Sequence, residues 1–203
     1  LRIDSVQTLL LYGPPGTGKS LLAAAVSGGM RATLFNVSAS KVLSKWFGES
    51  PRLISTLYAT ARRRAPSVIF LDELEALFPS RDADTSGAER RVVSTLLAEL
   101  SGVTTSGQTP AVFTIGATNA PWLMDAAALS RFSRRVYVPL PDAKARQAVL
   151  DIHLTRKGHR LDFPLPRLVE ATHGLSGRQL SYLAAAAVEH MVGELNADLP
   201  DVV

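Results

Sequence analysis

The chain has 203 residues, 46% hydrophobic and 20% charged, which suits one α/β core with a small accessory domain. It holds no cysteine, which excludes disulfides and thiolate metal sites and fits a cytoplasmic protein. Its apolar runs, such as Val68–Leu71, are far too short to insert in a membrane. The net charge is +4, but Arg62–Arg64 is the one tight basic run before Arg134 and Arg135, and it falls where a helix should end; this argues against a nucleic-acid partner. No signal peptide is visible, and the chain begins at Leu1 rather than Met, so it is read as an excised piece of a longer protein.

Leu9–Tyr12 is the first predicted strand. It runs into Gly13-Pro14-Pro15-Gly16-Thr17-Gly18-Lys19-Ser20, a full match to G-x-x-x-x-G-K-[ST], which opens a helix predicted over Lys19–Ser27. Glycines let such a loop fold tightly with its N–H groups aimed at phosphate oxygens, and the helix adds its positive end. Lys19 is expected to reach the β- and γ-phosphates of ATP, and Ser20 to bind Mg²⁺ through its hydroxyl. These eight residues, with Leu21 after them, form the expected nucleotide-binding set.

A strand follows over Thr33–Val37, then helices over Ala39–Trp46 and Arg52–Arg63, with Pro51 suited to a first helical position. The strand Val68–Leu71 ends in Asp72-Glu73. In a parallel sheet the strand C-termini converge on the ligand crevice, so Asp72 is expected beside Ser20 and the metal, and Glu73 is the group to polarise an attacking water. Glu75 is read as a surface or helix-capping residue. Pro79–Ala88 is a polar loop, Glu89–Leu100 a helix, and Val112–Gly116 and Val136–Leu140 strands.

After Pro139-Leu140-Pro141 only helices are predicted: Ala143–Arg156, Leu165–Thr172 and Ser176–Leu195. The alternation of short apolar strands and helices argues for a P-loop NTPase αβα sandwich with a five-stranded parallel sheet over residues 1–141. A small all-helical lid follows over residues 142–203.

Four segments together resemble the AAA ATPase family, in particular the group of katanin, spastin, fidgetin and the ESCRT-disassembling vacuolar sorting ATPase. They are Gly13–Ser20, Ser44–Ser50, Ile69–Leu77, and Gly116–Asn119 through Val136–Asp142. The resemblance implies that Asn119 orients the lytic water; as a residue type before Ala120-Pro121 it also suits a turn. It implies that Arg131, in Leu129-Ser130-Arg131-Phe132, enters the ATP site of a neighbouring subunit. The family usually carries two arginines there, and Ser130 replaces the first, while Arg134 and Arg135 are read as structural.

By the same resemblance Lys45 and Trp46 lie in a central pore loop that grips a threaded polypeptide, Phe47 being left open between pore and core. Arg81–Arg91 would form a second pore-facing loop and the helix after it. Gly174 and Ser176, in Gly174-Leu175-Ser176-Gly177, match the adenine-side motif of the helical lid, and His153 is equally a residue of that region or a half-buried helix residue.

The implied activity is Mg²⁺-dependent ATP hydrolysis by a homo-oligomer, a hexamer that forms with ATP and concentration. Its substrate would be polypeptide, with ESCRT filaments or tubulin tails as candidates. Two other readings stand beside it: a nucleotide-dependent binding module with little turnover, motivated by Ser130, and a P-loop ATPase that handles nucleic acid.

Overall fold

Five strands pair in parallel in the order β2-β3-β4-β1-β5, where β1 is Thr8–Tyr12, β2 Thr33–Ser38, β3 Ser67–Asp72, β4 Val112–Thr118 and β5 Arg134–Tyr137. The structure is a computed structural model and describes residues 8–40, 42, 50–78, 87–102, 112–159 and 161–195. The chain divides into two units, one of Leu1–Gly13 with Lys19–Val138, the other of Pro14–Gly18 with Pro139–Val203.

In the first unit, β3 and β4 are buried almost throughout, which is why their sequences are nearly continuous in apolar residues. Leu10, Ile69 and Leu71 pack on one face with helix α2 (Ser50–Arg63) and helix α3 (Gly87–Gly102), through Ile54, Tyr58, Val92, Leu96 and Leu100. On the other face Leu11, Val68, Phe70, Ile115 and Ala117 pack on Ala23 of helix α1 (Lys19–Gly29). Each fully buried Leu, Ile, Val or Phe among them stabilises the fold by about 1.5–3 kcal/mol. Tyr58 is completely buried and shares a 3.1 Å hydrogen bond with Thr114; burial pushes its hydroxyl well above the ordinary tyrosine range. Arg62 lies over the Tyr58 ring and pairs with Glu99, tying α2 to α3.

The edge strand β5 departs from expectation. It spans Arg134–Tyr137 rather than Val136–Leu140, and all four residues are exposed. Its register sets Leu9 against Arg134 and Tyr12 against Tyr137, and the ladder closes with Val138 N donating to Tyr12 O at 2.8 Å. Beyond that point Pro139 and Pro141 have no N–H to give. Arg134 and Arg135 lie in this edge strand with their side chains exposed. A single helical turn, α4 (Ala126–Leu129), precedes the strand and is capped by Asp125.

The second unit holds helices α5 (Ala143–His153), α6 (Leu165–Ala171) and α7 (Gly177–Leu195) around Leu150, Leu154, Val169, Leu180 and Ala184. Helix α5 begins where Asp142 accepts from Ala145 N at 2.7 Å. It stops three residues earlier than Arg156, because Thr155–Lys157 tighten into a 3-10 turn that Gly158 ends at φ 87°. Helix α7 opens with a capping box: Gln179 Oε1 accepts from Ser176 N at 2.8 Å, and Ser176 Oγ accepts from Gln179 N at 3.4 Å. Buried Arg146 donates to Val169 O and Pro141 O, joining α5 to α6 and to the proline segment before it.

Candidate active site

The glycine loop leaves β1 at Gly13, whose φ is 147°. A Cβ there would lie 2.3 Å from Val138 O, so no other residue fits. Lys19, at the start of α1, is buried and donates from Nζ to Gly13 O at 2.9 Å. In the second unit Gly16 has φ 74°, and a Cβ on it would meet Ser176 Oγ at 2.8 Å and Arg178 Cβ at 2.9 Å. There Arg178 N donates to Gly16 O at 3.1 Å. Thr17 Oγ1 donates to Pro14 O at 3.0 Å within the loop. Pro15 and Gly18 are exposed, Pro14 is half-buried, and Leu21 stands on the open side of α1.

Parallel pairing brings the acidic pair to α1. Ser20 Oγ donates to Asp72 Oδ2 at 3.1 Å, while Asp72 Oδ1 accepts from Glu73 N at 3.0 Å. Glu73 follows β3 with φ 59°, a left-handed conformation that costs a non-glycine residue on the order of 1–3 kcal/mol. Two hydroxyls hold its side chain: Ser38 Oγ donates to Oε2 at 3.2 Å, and Ser40 Oγ donates to the same oxygen. Oε1 receives no hydrogen bond among the described residues. Sequence reasoning missed both serines. The signal was available in Ser38-Ala39-Ser40 at the end of a strand beside β3, since Ser38 is the register partner of Asp72.

Asn119 follows β4, half-buried, and its N–H donates to Glu75 Oε1 at 3.4 Å. Glu75 is thus turned inward and half-buried, unlike the surface or capping residue expected of it. Arg131 is exposed in the turn after α4, its carbonyl accepting from Thr8 Oγ1 at 2.8 Å. Ser130 donates to Ala127 O at 2.8 Å, closing its own turn. In the second unit Gly174 lies in an exposed turn at φ 81°, Ser176 is the buried cap of α7, and His153 ends α5 half-buried. A cleft of about 390 Å³ there is lined by Thr17, Pro139 to Asp142, Ala145, Val149 and Gly177. Lys45, Trp46 and Phe47 lie outside the described residues, as do Pro79–Ser86 and the end of the predicted helix Ala39–Trp46.

Arg178 is the other residue that sequence reasoning did not single out. Its backbone is fixed on the glycine loop, and its guanidinium makes no hydrogen bond or ion pair among the described residues.

Comparison with known proteins identifies the family. The model of the ATPase family associated with various cellular activities (AAA) matches residues 9–140. Protein SUPPRESSOR OF K(+) TRANSPORT GROWTH DEFECT 1 of Arabidopsis thaliana is 44% identical over 177 residues, covering 86% of this chain and 40% of that protein. Vacuolar protein sorting-associated protein 4A of Homo sapiens is 42% identical over the same shares. Spastin of Drosophila grimshawi is 41% identical over 191 residues, 94% of this chain and 24% of spastin. The chain thus spans two fifths or less of the length of these curated relatives. Among solved structures, the FIGL-1 AAA domain in complex with ADP superposes with a TM-score of 0.83 at 36% identity, covering 96% of this chain and 64% of that one. A parallel sheet carrying a glycine phosphate loop, a family match over most of the first unit and relatives above 40% identity lead to one assignment: the chain belongs to the AAA ATPase family.

Proposed function

We propose that the chain hydrolyses ATP to ADP and phosphate with Mg²⁺ as one subunit of a ring, and that the ring remodels polypeptide substrates. One observation carries the catalytic part: the Ser20 hydroxyl stands 3.1 Å from the Asp72 carboxylate, where the end of β3 meets the start of α1. A hydroxyl and a carboxylate are hard oxygen donors, the set that suits Mg²⁺ completing its shell with water and phosphate oxygens. When bound, the ion neutralises charge on the β- and γ-phosphates.

The chain's own residues do the rest. Loop N–H groups and Lys19 hold the phosphates, and Ser20 and Asp72 hold the metal. Glu73, its Oε2 fixed by Ser38 and Ser40, keeps Oε1 to take a proton from the attacking water. Asn119, at the end of the neighbouring strand, orients that water. Arg178, on the loop at Gly16, adds a cation beside the phosphates. The exposed position of Arg131 supports its use in a neighbouring subunit's site. Ser130 stands where the family resemblance implies a second arginine, which favours a nucleotide-dependent binding module with little turnover as the second reading. The threading step rests on Lys45 and Trp46 by sequence alone, and ESCRT filaments and tubulin tails remain its candidate substrates.

Mixing two inactive variants tests the shared site. Glu73→Gln and Arg131→Ala are each expected to release phosphate at a few per cent of the unaltered rate or less. Mixed at equal concentration they should recover activity, because an Arg131→Ala subunit still has Glu73 and can borrow Arg131 from its Glu73→Gln neighbour. No recovery in mixed rings would contradict action in trans.

A further inference from the structure

Leu74–Ala76 form a 3-10 turn directly after Glu73, and two residues of that turn face inward for different reasons. Leu74 is completely buried against β4, so close that a Cβ on Gly116 would lie 2.4 Å from its Cδ1. Glu75 is inward too, yet apolar packing gives a carboxylate no reason to be there. Its Oε1 accepts one long hydrogen bond, 3.4 Å, from Asn119 N. Its Oε2 is buried and has no hydrogen-bond partner among the described residues. Burying a carboxylate oxygen without a donor opposes folding, and an apolar side chain of similar size would fit at lower cost. Such a group, kept against stability, marks a place where position matters more than stability.

The position in question is Asn119. Glu75 sits two residues after Glu73, and its side-chain hydrogen bond among the described residues crosses to the turn that carries Asn119. We infer that Glu75 is a positioning residue: it locks the turn after β4 to the turn after β3 and so sets Asn119 against Glu73. Glu75 touches neither nucleotide nor water; it acts through the Asn119 backbone. This rests on the proposed roles of Glu73 and Asn119 in ATP hydrolysis.

The test uses the chain with Glu75→Leu and Glu75→Gln, reading the turnover number, the KM for ATP and the thermal midpoint. Glutamine keeps an acceptor for Asn119 N without the charge; leucine keeps only the bulk. Glu75→Leu is expected to lower turnover about tenfold or more, with KM for ATP within twofold and a thermal midpoint that does not fall. Glu75→Gln should restore turnover to within about threefold of the unaltered chain. A merely structural Glu75 would give the opposite pattern, with turnover lost only as far as stability is lost. The inference is overturned if Glu75→Leu keeps its turnover, if it melts lower or does not fold, or if Glu75→Gln is as slow as Glu75→Leu. An unaltered chain that does not hydrolyse ATP, or that loses nothing on Glu73→Gln, removes the underlying reading and this inference with it. Activity that depends on Glu73 but not on Glu75 removes this inference alone.

Discussion

Glu73→Gln is expected to lower phosphate release at saturating ATP by about a hundredfold or more while nucleotide binding stays within a few fold. Glutamine has the shape of glutamate and still offers a carbonyl oxygen to Ser38 and Ser40. The left-handed backbone at φ 59° is unaffected, because the side chains do not differ at Cβ. What disappears is the ability to accept a proton from water. Loss of turnover with binding retained is the signature of an interaction used only in the transition state. Phosphate release measured beside a direct nucleotide titration separates the two. Turnover within a few fold of the unaltered chain would remove Glu73 from the chemistry.

The second large effect is structural and falls on the same region. Gly116→Val places a branched side chain where a Cβ alone would lie 2.4 Å from Leu74 Cδ1 and 2.9 Å from two atoms of the Phe132 ring. Leu74 and Phe132 are both buried in the main core, so neither can swing into solvent. The expected cost is about 3 kcal/mol, at the upper end for overpacking, which lowers the melting midpoint by roughly 6–12 °C for a chain of this size. Leu74 stands between Glu73 and Glu75, and Phe132 follows Arg131, so the displaced residues carry the candidate site with them. Gly28→Ala is the matched control: its Cβ meets nothing within 4 Å in α1, and a midpoint equal to or above the unaltered value is expected. Equal melting of all three chains would show that Gly116 is not needed for the close packing of Leu74 and Phe132.

Much of the site was legible because each part is local. Gly13–Ser20 needs only a strand, a loop and a helix in sequence. Asp72 and Glu73 need only an apolar strand that ends in acid. Their meeting follows from parallel topology, which the alternation of elements already requires, and Ser20 and Asp72 do meet. What was not legible depends on lateral neighbours. Ser38 matters because it pairs across the sheet with Asp72, and no local spacing reveals a register. Glu75 looks like any acid in a first turn until Asn119 arrives from another strand. Arg178 sits far along the chain from Gly16, and only the folded backbone brings its N–H to that carbonyl. The error at β5 has a local cause: Val136–Leu140 is apolar enough for a strand, but Pro139 cannot continue a ladder, and the register with β1 starts earlier, at Arg134.

The central claim is that the glycine loop holds a nucleoside triphosphate through its amides and Lys19. Calorimetric titration of Mg·ATP into the unaltered chain and into Lys19→Ala tests it most directly. The account predicts saturable binding near one nucleotide per chain, weakened by about a hundredfold when the lysine is removed, since a buried charge-assisted contact to phosphate is lost. No binding by the unaltered chain, or equal affinity in the two, would contradict it.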